Sequence, residues 1–316
     1  MSNLEVMVMF VVSIELFLGT SLNGFIVLLH CIIWVKTRKI SLSDFIILNL
    51  ALSRIILLGI MMFDTVLSIF YPHLQNVGIL MQIIDIFWMF TNNLIICLTT
   101  CLSVLYCLKI ANFSHQAFLW LKWRVSHVIW GIWGGSGLYS FFSALAMILK
   151  FSEYADLSQM KLSGNYSEEV KKKLTNYYVL HILGLLWSVI PLCVSLLSSV
   201  LLFLSLVRHT RQMKHHANGT RDLSTMAHVR ATKVILSSFI LFIGYFLNLF
   251  LAMSSHFFPR PKQAVMIWRL FFIAYPSIQT FVLILENRKV KQAFIKMFQV
   301  KKWRLKCTPW ELSPKT

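Results

Sequence analysis

The chain has 316 residues and a net charge of +18, and its composition is 57% hydrophobic but only 13% charged. So apolar a composition excludes an ordinary soluble domain, and it predicts a membrane protein. In a soluble protein the positive charge would suggest nucleic acid, but here the Lys and Arg residues cluster between long apolar segments. We therefore expect membrane lipid, and no nucleic acid, as a partner.

Seven apolar stretches follow one another along the chain. A helix needs about 20 apolar residues to cross the hydrocarbon core of a bilayer, and each stretch is long enough. They lie near residues 7–35, 43–71, 79–108, 125–149, 177–207, 234–257 and 264–285. We predict an all-α integral membrane protein, with a seven-transmembrane helix bundle forming a single domain over 1–316.

The distribution of cations predicts the orientation. Lys and Arg concentrate after spans one, three and five and in the tail 286–316, so these segments should be cytoplasmic. The N-terminus is then extracellular. The acceptor sequon at Asn165 falls in the second outer loop, where we predict glycosylation, whereas those at Asn112 and Asn218 fall on the cytoplasmic side.

The six cysteines all lie within spans or on the inner side, so no extracellular disulfide framework is expected. Cys307, beside the basic tail, is a candidate for palmitoylation.

The segment after span seven has the pattern of a short amphipathic interfacial helix. Val290, Phe294, Met297 and Phe298 form an apolar stripe, and lysines cover the remaining surface. Such a helix is attracted to anionic lipid, and we expect it to lie along the membrane.

Two polar residues stand out at mid-membrane. A charged side chain within a span costs about 2.5–3.5 kcal/mol on insertion scales, so it needs polar partners or water. Arg54 on span two and Asn23 on span one lie at comparable depths. They predict a hydrogen-bonded cluster between helices, either a static clamp or a network that changes on activation.

Three charged residues share a depth in the outer third of the membrane. Asp64 lies ten residues beyond Arg54, about 15 Å nearer the outside, and Asp85 and Arg269 lie one to two turns into spans three and seven. They predict a polar wall of a ligand pocket. An internal salt-bridge cluster is the alternative, and the partner of Arg269 stays open between Asp64, Asp85 and a ligand.

One face of span three has the composition of a small-molecule site. Asp85, Trp88 and Asn92 recur at i, i+3 and i+7, and Asn93 flanks them. An aromatic ring beside a charge and two amides offers stacking surface with directional hydrogen bonds.

No catalytic constellation, metal-binding spacing or phosphate-binding glycine loop occurs in the sequence, so we predict neither an enzyme nor a bound metal or cofactor. Span seven contains no lysine for a retinal Schiff base.

Eight short strings are spread along nearly the whole chain: LGTSLNGF at 18–25, LALSR at 50–54, LKIANFS at 108–114, LKWR at 121–124, PLCVSL at 191–196, STMAH at 224–228, YPS at 275–277 and LILEN at 283–287. These strings resemble those of the type 2 (bitter) taste receptors, a family of G-protein-coupled receptors. The motifs of rhodopsin-like receptors, such as Asp-Arg-Tyr after span three, are missing.

The resemblance implies a plasma-membrane receptor that binds bitter agonists in the outer half of the bundle and activates a gustducin-type heterotrimeric G protein. Trp88, Asn92 and Asn93 match the family's binding stripe on span three, and Tyr245 matches a position on span six thought to toggle beneath the ligand. Arg269 aligns with a position on span seven that often contacts ligand.

Some positions depart from the pattern of the family. Gln279-Thr280 stands where many members have His-Ser, and Glu286 stands where Gly is common. These departures affect the expected switch contacts at the inner end of span seven.

We interpret the chain as a receptor for bitter or toxic small molecules, with Lys109, His228 and Arg230 as candidate contacts for the G protein. A vomeronasal-type pheromone receptor is a related alternative. A membrane transporter or channel is an alternative from another class. Against it, the acidic residues lie only in the outer third, and the inner half is expected to be apolar apart from Arg54.

Overall fold

A computed structural model describes residues 3–71, 78–111, 113–149, 188–216, 240–248, 262–287 and 289–297, with short pieces between 168 and 186 and at 237. All regular elements within these residues are helices. They are α1 Asn3–Thr37, α2 Leu42–Phe70, α3 Gly78–Ile110, α4 Gln116–Trp123, α5 Val125–Leu149, α6 Val189–His216, α7 240–248, α8 Lys262–Glu286 and α9 289–297.

Each of the seven predicted stretches overlaps a described helix, although parts of 177–207 and 234–257 lie outside the described residues, and α4 was not predicted. The first three spans correspond to α1, α2 and α3, the next three to α5, α6 and α7, and the last to α8. In the described part of the chain, four helices are long and apolar enough to cross a membrane, and they lie in α1, α2, α3 and α6. A shorter apolar helix, Ile273–Leu285, lies within α8. α5 has 25 residues, which is about the length that a bilayer crossing needs.

Large apolar side chains cover much of the outer surface. Phe17 and Leu28 of α1, Phe141 of α5 and Leu197 of α6 are all exposed. A soluble protein rarely exposes contiguous apolar patches of this extent, whereas lipid tails solvate them without cost. The surface therefore agrees with the composition.

The core forms around α3, the most buried of the four span candidates. It packs against α2, α5 and α6, while α1 packs against α2 and α8. Gly19 lies where α1, α2 and α8 approach each other, because a Cβ there would lie 2.6 Å from both Leu58 Cδ1 and Ser277 Oγ. The buried thiols of Cys97 and Cys101 face backbone carbonyls of α5, at 3.8 and 3.9 Å.

A tight turn joins α1 to α2 at one end of the bundle. Arg38 adopts a left-handed conformation with φ of 51°, which ends α1. Ser41 then caps α2, because its Oγ accepts from the backbone N–H of Asp44 at 3.2 Å. So short a connection makes α1 and α2 antiparallel neighbours.

The tail helix α9 begins at an Asn cap and docks on α1. Asn287 Oδ1 accepts from the N–H groups of Lys289 and Val290, at 3.0 and 3.3 Å. Val290 is buried, and the Phe294 ring meets Phe25 edge to face with centroids 5.3 Å apart. The predicted helix is present, and these two residues of its apolar stripe pack against the protein.

Candidate ligand pocket and associated clusters

The predicted stripe on α3 leads from a half-buried to a fully buried environment. Asp85 and Trp88 are half-buried, whereas Asn92 is 0% and Asn93 8% exposed. The helix repeat therefore places the aromatic ring of Trp88 one turn from the buried amide of Asn92, and Asn93 flanks that face.

Tyr245 of α7 meets this stripe at its buried end. Its hydroxyl donates to Asn92 Oδ1, so two residues that the family resemblance singled out lie together. The Tyr245 ring also stacks on Tyr275 of α8, with centroids 4.1 Å apart and planes 19° from parallel. Tyr275 belongs to the YPS string at 275–277, but no role in the site was predicted for it from the sequence.

Two side-chain amide donors of α3 have no partner among the described residues. They are the Nδ2 groups of Asn92 and Asn93, both buried. A buried amide without a partner costs about 1–3 kcal/mol, so an acceptor oxygen placed there would be favoured. Beside Trp88, the arrangement can hold a small molecule by stacking and by hydrogen bonds to its acceptors.

The predicted polar wall is only partly described. Asp64 on α2 and Asp85 on α3 are half-buried, and their two helices pack together. Arg269 belongs to α8, but its side chain lies outside the described part of the chain. The convergence of the three side chains stays a prediction.

The predicted pair Arg54 and Asn23 is joined through α8. Arg54 donates to Thr280 Oγ1 at 3.0 Å and to Gln279 Oε1 at 2.6 Å. The Thr280 hydroxyl in turn lies 2.9 Å from Asn23 Oδ1, and Asn23 Nδ2 donates to the Gly19 carbonyl at 2.8 Å. We call Asn23, Arg54, Gln279 and Thr280 the Arg54 cluster.

Gln279 and Thr280, which depart from the family pattern, both receive hydrogen bonds from Arg54. Thr280 Oγ1 is also 2.6 Å from the Pro276 carbonyl oxygen. A hydroxyl has one proton, so Pro276 and Asn23 compete for it. This competition gives the cluster two hydrogen-bond arrangements of similar geometry.

The expectation that the inner half is apolar apart from Arg54 is wrong. Buried hydroxyls join α3 to α6: Thr100 Oγ1 lies 3.2 Å from the Pro191 carbonyl oxygen, and Ser195 Oγ lies 3.0 Å from Ser103 Oγ. Ser and Thr are tolerated in apolar helices because their hydroxyls can hydrogen-bond to backbone carbonyls of the preceding turn. These residues therefore do not interrupt the apolar stretches, and their contacts between helices could not be predicted from hydropathy.

A second charged group, which was not predicted from the sequence, lies where α2 begins. The buried carboxylate of Asp44 lies 3.7 Å from His30 Nε2 and 3.5 Å from Lys289 Nζ. His30 Nδ1 donates to the Ile26 carbonyl at 2.8 Å, which fixes the ring. We call His30, Asp44 and Lys289 the Asp44 cluster, and it links α1, α2 and α9.

The remaining predicted residues divide into two groups. Lys109 is exposed at the end of α3. His228, Arg230, Asn165 and Cys307 lie outside the described residues. The five cysteines that are described are free thiols, and no metal-binding group of three side chains occurs in the same part of the chain.

Comparison with known proteins identifies the relatives of the chain. The model of the taste receptor protein (TAS2R) family matches residues 1–302. Taste receptor type 2 member 3 of Papio hamadryas and that of Homo sapiens are each 48% identical over 289 residues, covering 92% of both chains. The Mus musculus protein of the same name is 43% identical over 283 residues, covering 90% of both chains.

Proposed function

The chain belongs to the taste receptor (TAS2R) family, and we propose that a bitter or toxic small molecule binds in the outer half of its bundle and activates a gustducin-type G protein. Membership makes the chain a multi-pass membrane protein and a bitter taste G-protein-coupled receptor, a receptor rather than an enzyme. The seven-span topology is what the family implies. The site, the partner and the orientation are the proposal.

The proposed pocket is supported chiefly by the two buried amide donors near an aromatic ring. Asn92 and Asn93 each present an Nδ2 group that no described residue satisfies, and Trp88 lies one turn away on α3. An agonist carbonyl, ether or hydroxyl oxygen would satisfy one of these donors while a flat apolar part stacks on the indole. Both amides would favour compounds with acceptor atoms.

The outer wall would add selectivity by charge. We propose that Asp64, Asp85 and Arg269 line the mouth of the pocket, and that Arg269 favours anionic agonists or strong acceptors. Exchanging Arg269 for Glu should invert the potency order of acidic against basic bitter compounds. An unchanged potency order would show that Arg269 does not contact the ligand.

Activation would involve the Arg54 cluster. An agonist can shift the bundle only if it binds one state more tightly than the other, and the hydrogen bonds of Thr280 supply two arrangements of the cluster. We propose that the inner side opens in the favoured state and admits the G protein. Lys109, His228 and Arg230 are the proposed contacts of this partner.

The proposed location is the plasma membrane, with the N-terminus extracellular and the tail cytoplasmic. In this orientation only the sequon at Asn165 reaches the glycosylation machinery. Asn165→Gln should therefore increase the mobility of the receptor on a gel, and Asn218→Gln should not. The reverse pattern would overturn the orientation.

A calcium-release assay tests the function as a whole. The receptor is expressed in cells with a gustducin-type α subunit coupled to calcium release, and a panel of bitter compounds is applied. We expect responses to a subset of the panel that are missing in cells lacking the receptor or the α subunit. Silence toward the entire panel, with the receptor present at the cell surface, would refute the proposal.

A further inference from the structure

A continuous line of contacts runs from the proposed pocket to the Arg54 cluster. Asn92 accepts from the Tyr245 hydroxyl, and the Tyr245 ring stacks on Tyr275 at 4.1 Å. Tyr275 directly precedes Pro276, whose carbonyl oxygen lies 2.6 Å from Thr280 Oγ1. Thr280 then accepts from Arg54. Tyr275 is the residue at which the line passes from α7 to α8.

We propose that Tyr275 is a positioning residue that transmits occupancy of the pocket to the Arg54 cluster. The inference rests on the proposed function, because it assumes an agonist beside Asn92. The new element is the role of Tyr275. A ligand beside Asn92 would strengthen or weaken the hydrogen bond from Tyr245, and the stacked Tyr275 ring would transmit the resulting movement to the Pro276 carbonyl.

The environment of Tyr275 gives the residue two opposing preferences. Its ring is buried and gains from stacking on Tyr245. Its hydroxyl is also buried, but it has no hydrogen-bond partner among the described residues. A rotation that gives the hydroxyl a partner would separate the two rings, so each arrangement satisfies one part of the side chain. This makes Tyr275 a two-state element.

The position of Pro276 explains how the ring can act on the cluster. Thr280 has a single proton, and the carbonyl of Pro276 competes with Asn23 for it. A movement of α8 at Tyr275 shifts the Pro276 carbonyl, which directs that proton toward or away from Asn23. The hydrogen bonds of Arg54 to Thr280 and Gln279 would respond in turn.

Two substitutions should act in opposite directions. In this proposal the stacked arrangement belongs to the resting receptor. Tyr275→Phe keeps the stacked ring and removes the hydroxyl, so it should favour the resting state and weaken the agonist response. Tyr275→Leu removes the stack, so it should raise G-protein activation without agonist. We expect changes of roughly five- to tenfold, the lower end of coupling between sites. Phe271→Leu on the exposed face of α8 is the matched control and should change neither response.

The experiment measures basal and agonist-stimulated G-protein activation of the full receptor at equal surface amounts. It also includes Thr280→Val alone and combined with Tyr275→Leu. If Tyr275 acts through Thr280, the effects of the double variant are not additive. Additive effects, or a proportional loss of both responses in both Tyr275 variants as from misfolding, would overturn the inference. If the wild type responds to no agonist, both the proposed function and this inference are refuted. If the wild type responds but the Tyr275 variants do not behave as expected, only the inference about Tyr275 is refuted.

Discussion

The two buried charges of α2 are held in different ways. Arg54, 1% exposed and midway along the helix, donates to the neutral oxygens of Gln279 and Thr280 on α8. Asp44, 5% exposed and in the first turn, lies beside His30 and Lys289. The deep charge uses directional hydrogen bonds to a distant segment, whereas the charge near the helix end uses other ionisable groups.

The difference indicates which cluster can change state. The Arg54 cluster contains a hydroxyl proton with two competing acceptors, so it can rearrange without exposing a charge. The Asp44 cluster holds α9 against the bundle, and its Lys289 side chain is 68% exposed and open to solvent. We therefore assign switching to the Arg54 cluster and anchoring of the tail helix to the Asp44 cluster.

The largest effect should come from Arg54→Met, which keeps a similar length but removes both hydrogen bonds. A hydrogen bond to a charged group contributes about 1.5–3 kcal/mol, so we expect a loss of at least about 3 kcal/mol in stability. Thermal unfolding of the detergent-purified receptor measures it. Arg54→Lys keeps the charge without the planar guanidinium, so its unfolding temperature should lie between those of the wild type and Arg54→Met. An unfolding temperature equal to that of the wild type would show that the cluster does not hold α8.

An intermediate effect is expected for Asp44→Asn, which keeps the shape and removes the charge. The carboxylate is buried but one partner is solvated, so we expect a loss of about 1–2 kcal/mol, shared between the α1–α2 contact through His30 and the anchoring of α9 through Lys289. Hydrogen exchange of the amides in 290–297 should accelerate, while exchange in α3 should not change. Acceleration in both places would mean that the cluster stabilises the whole bundle.

The smallest effect should follow Lys289→Ala. Exposed ion pairs contribute at most about 1 kcal/mol, and salt screens them. Exchange in α9 should accelerate slightly at low salt and match the wild type at high salt. An effect as large as that of Asp44→Asn would show that Lys289, and not His30, is the main partner of Asp44.

Much of the architecture could be predicted because a helix that crosses a membrane is recognised by the length and apolarity of its sequence. The stretches 43–71 and 125–149 agree with α2, Leu42–Phe70, and α5, Val125–Leu149, to within one residue. The tail helix was also predicted, but not the face that docks on Phe25, since a stripe that packs on protein and one that packs on lipid have the same pattern.

The partners of the buried charges were harder to predict. Arg54 and Thr280 are 226 residues apart, and only the packing of α8 brings them together. Asp44 is a first-turn acid, and helix N-termini favour acidic residues whether or not they join a buried cluster. Tyr275 stood in the YPS string before a proline, but nothing in the sequence indicated that its ring stacks on Tyr245. Depth along each span can be estimated from the sequence, but rotation about the helix axis at a given contact cannot.

The central claim, that the agonist binds on the α3 stripe, is tested most directly by comparing Trp88→Ala with Phe87→Ala. Phe87 is the adjacent aromatic residue and is exposed on the outer surface. At equal surface amounts, we predict that agonist potency falls about tenfold or more for Trp88→Ala, equivalent to about 1.4 kcal/mol of binding, and stays unchanged for Phe87→Ala. Equal potency in the wild type and both variants would contradict the account.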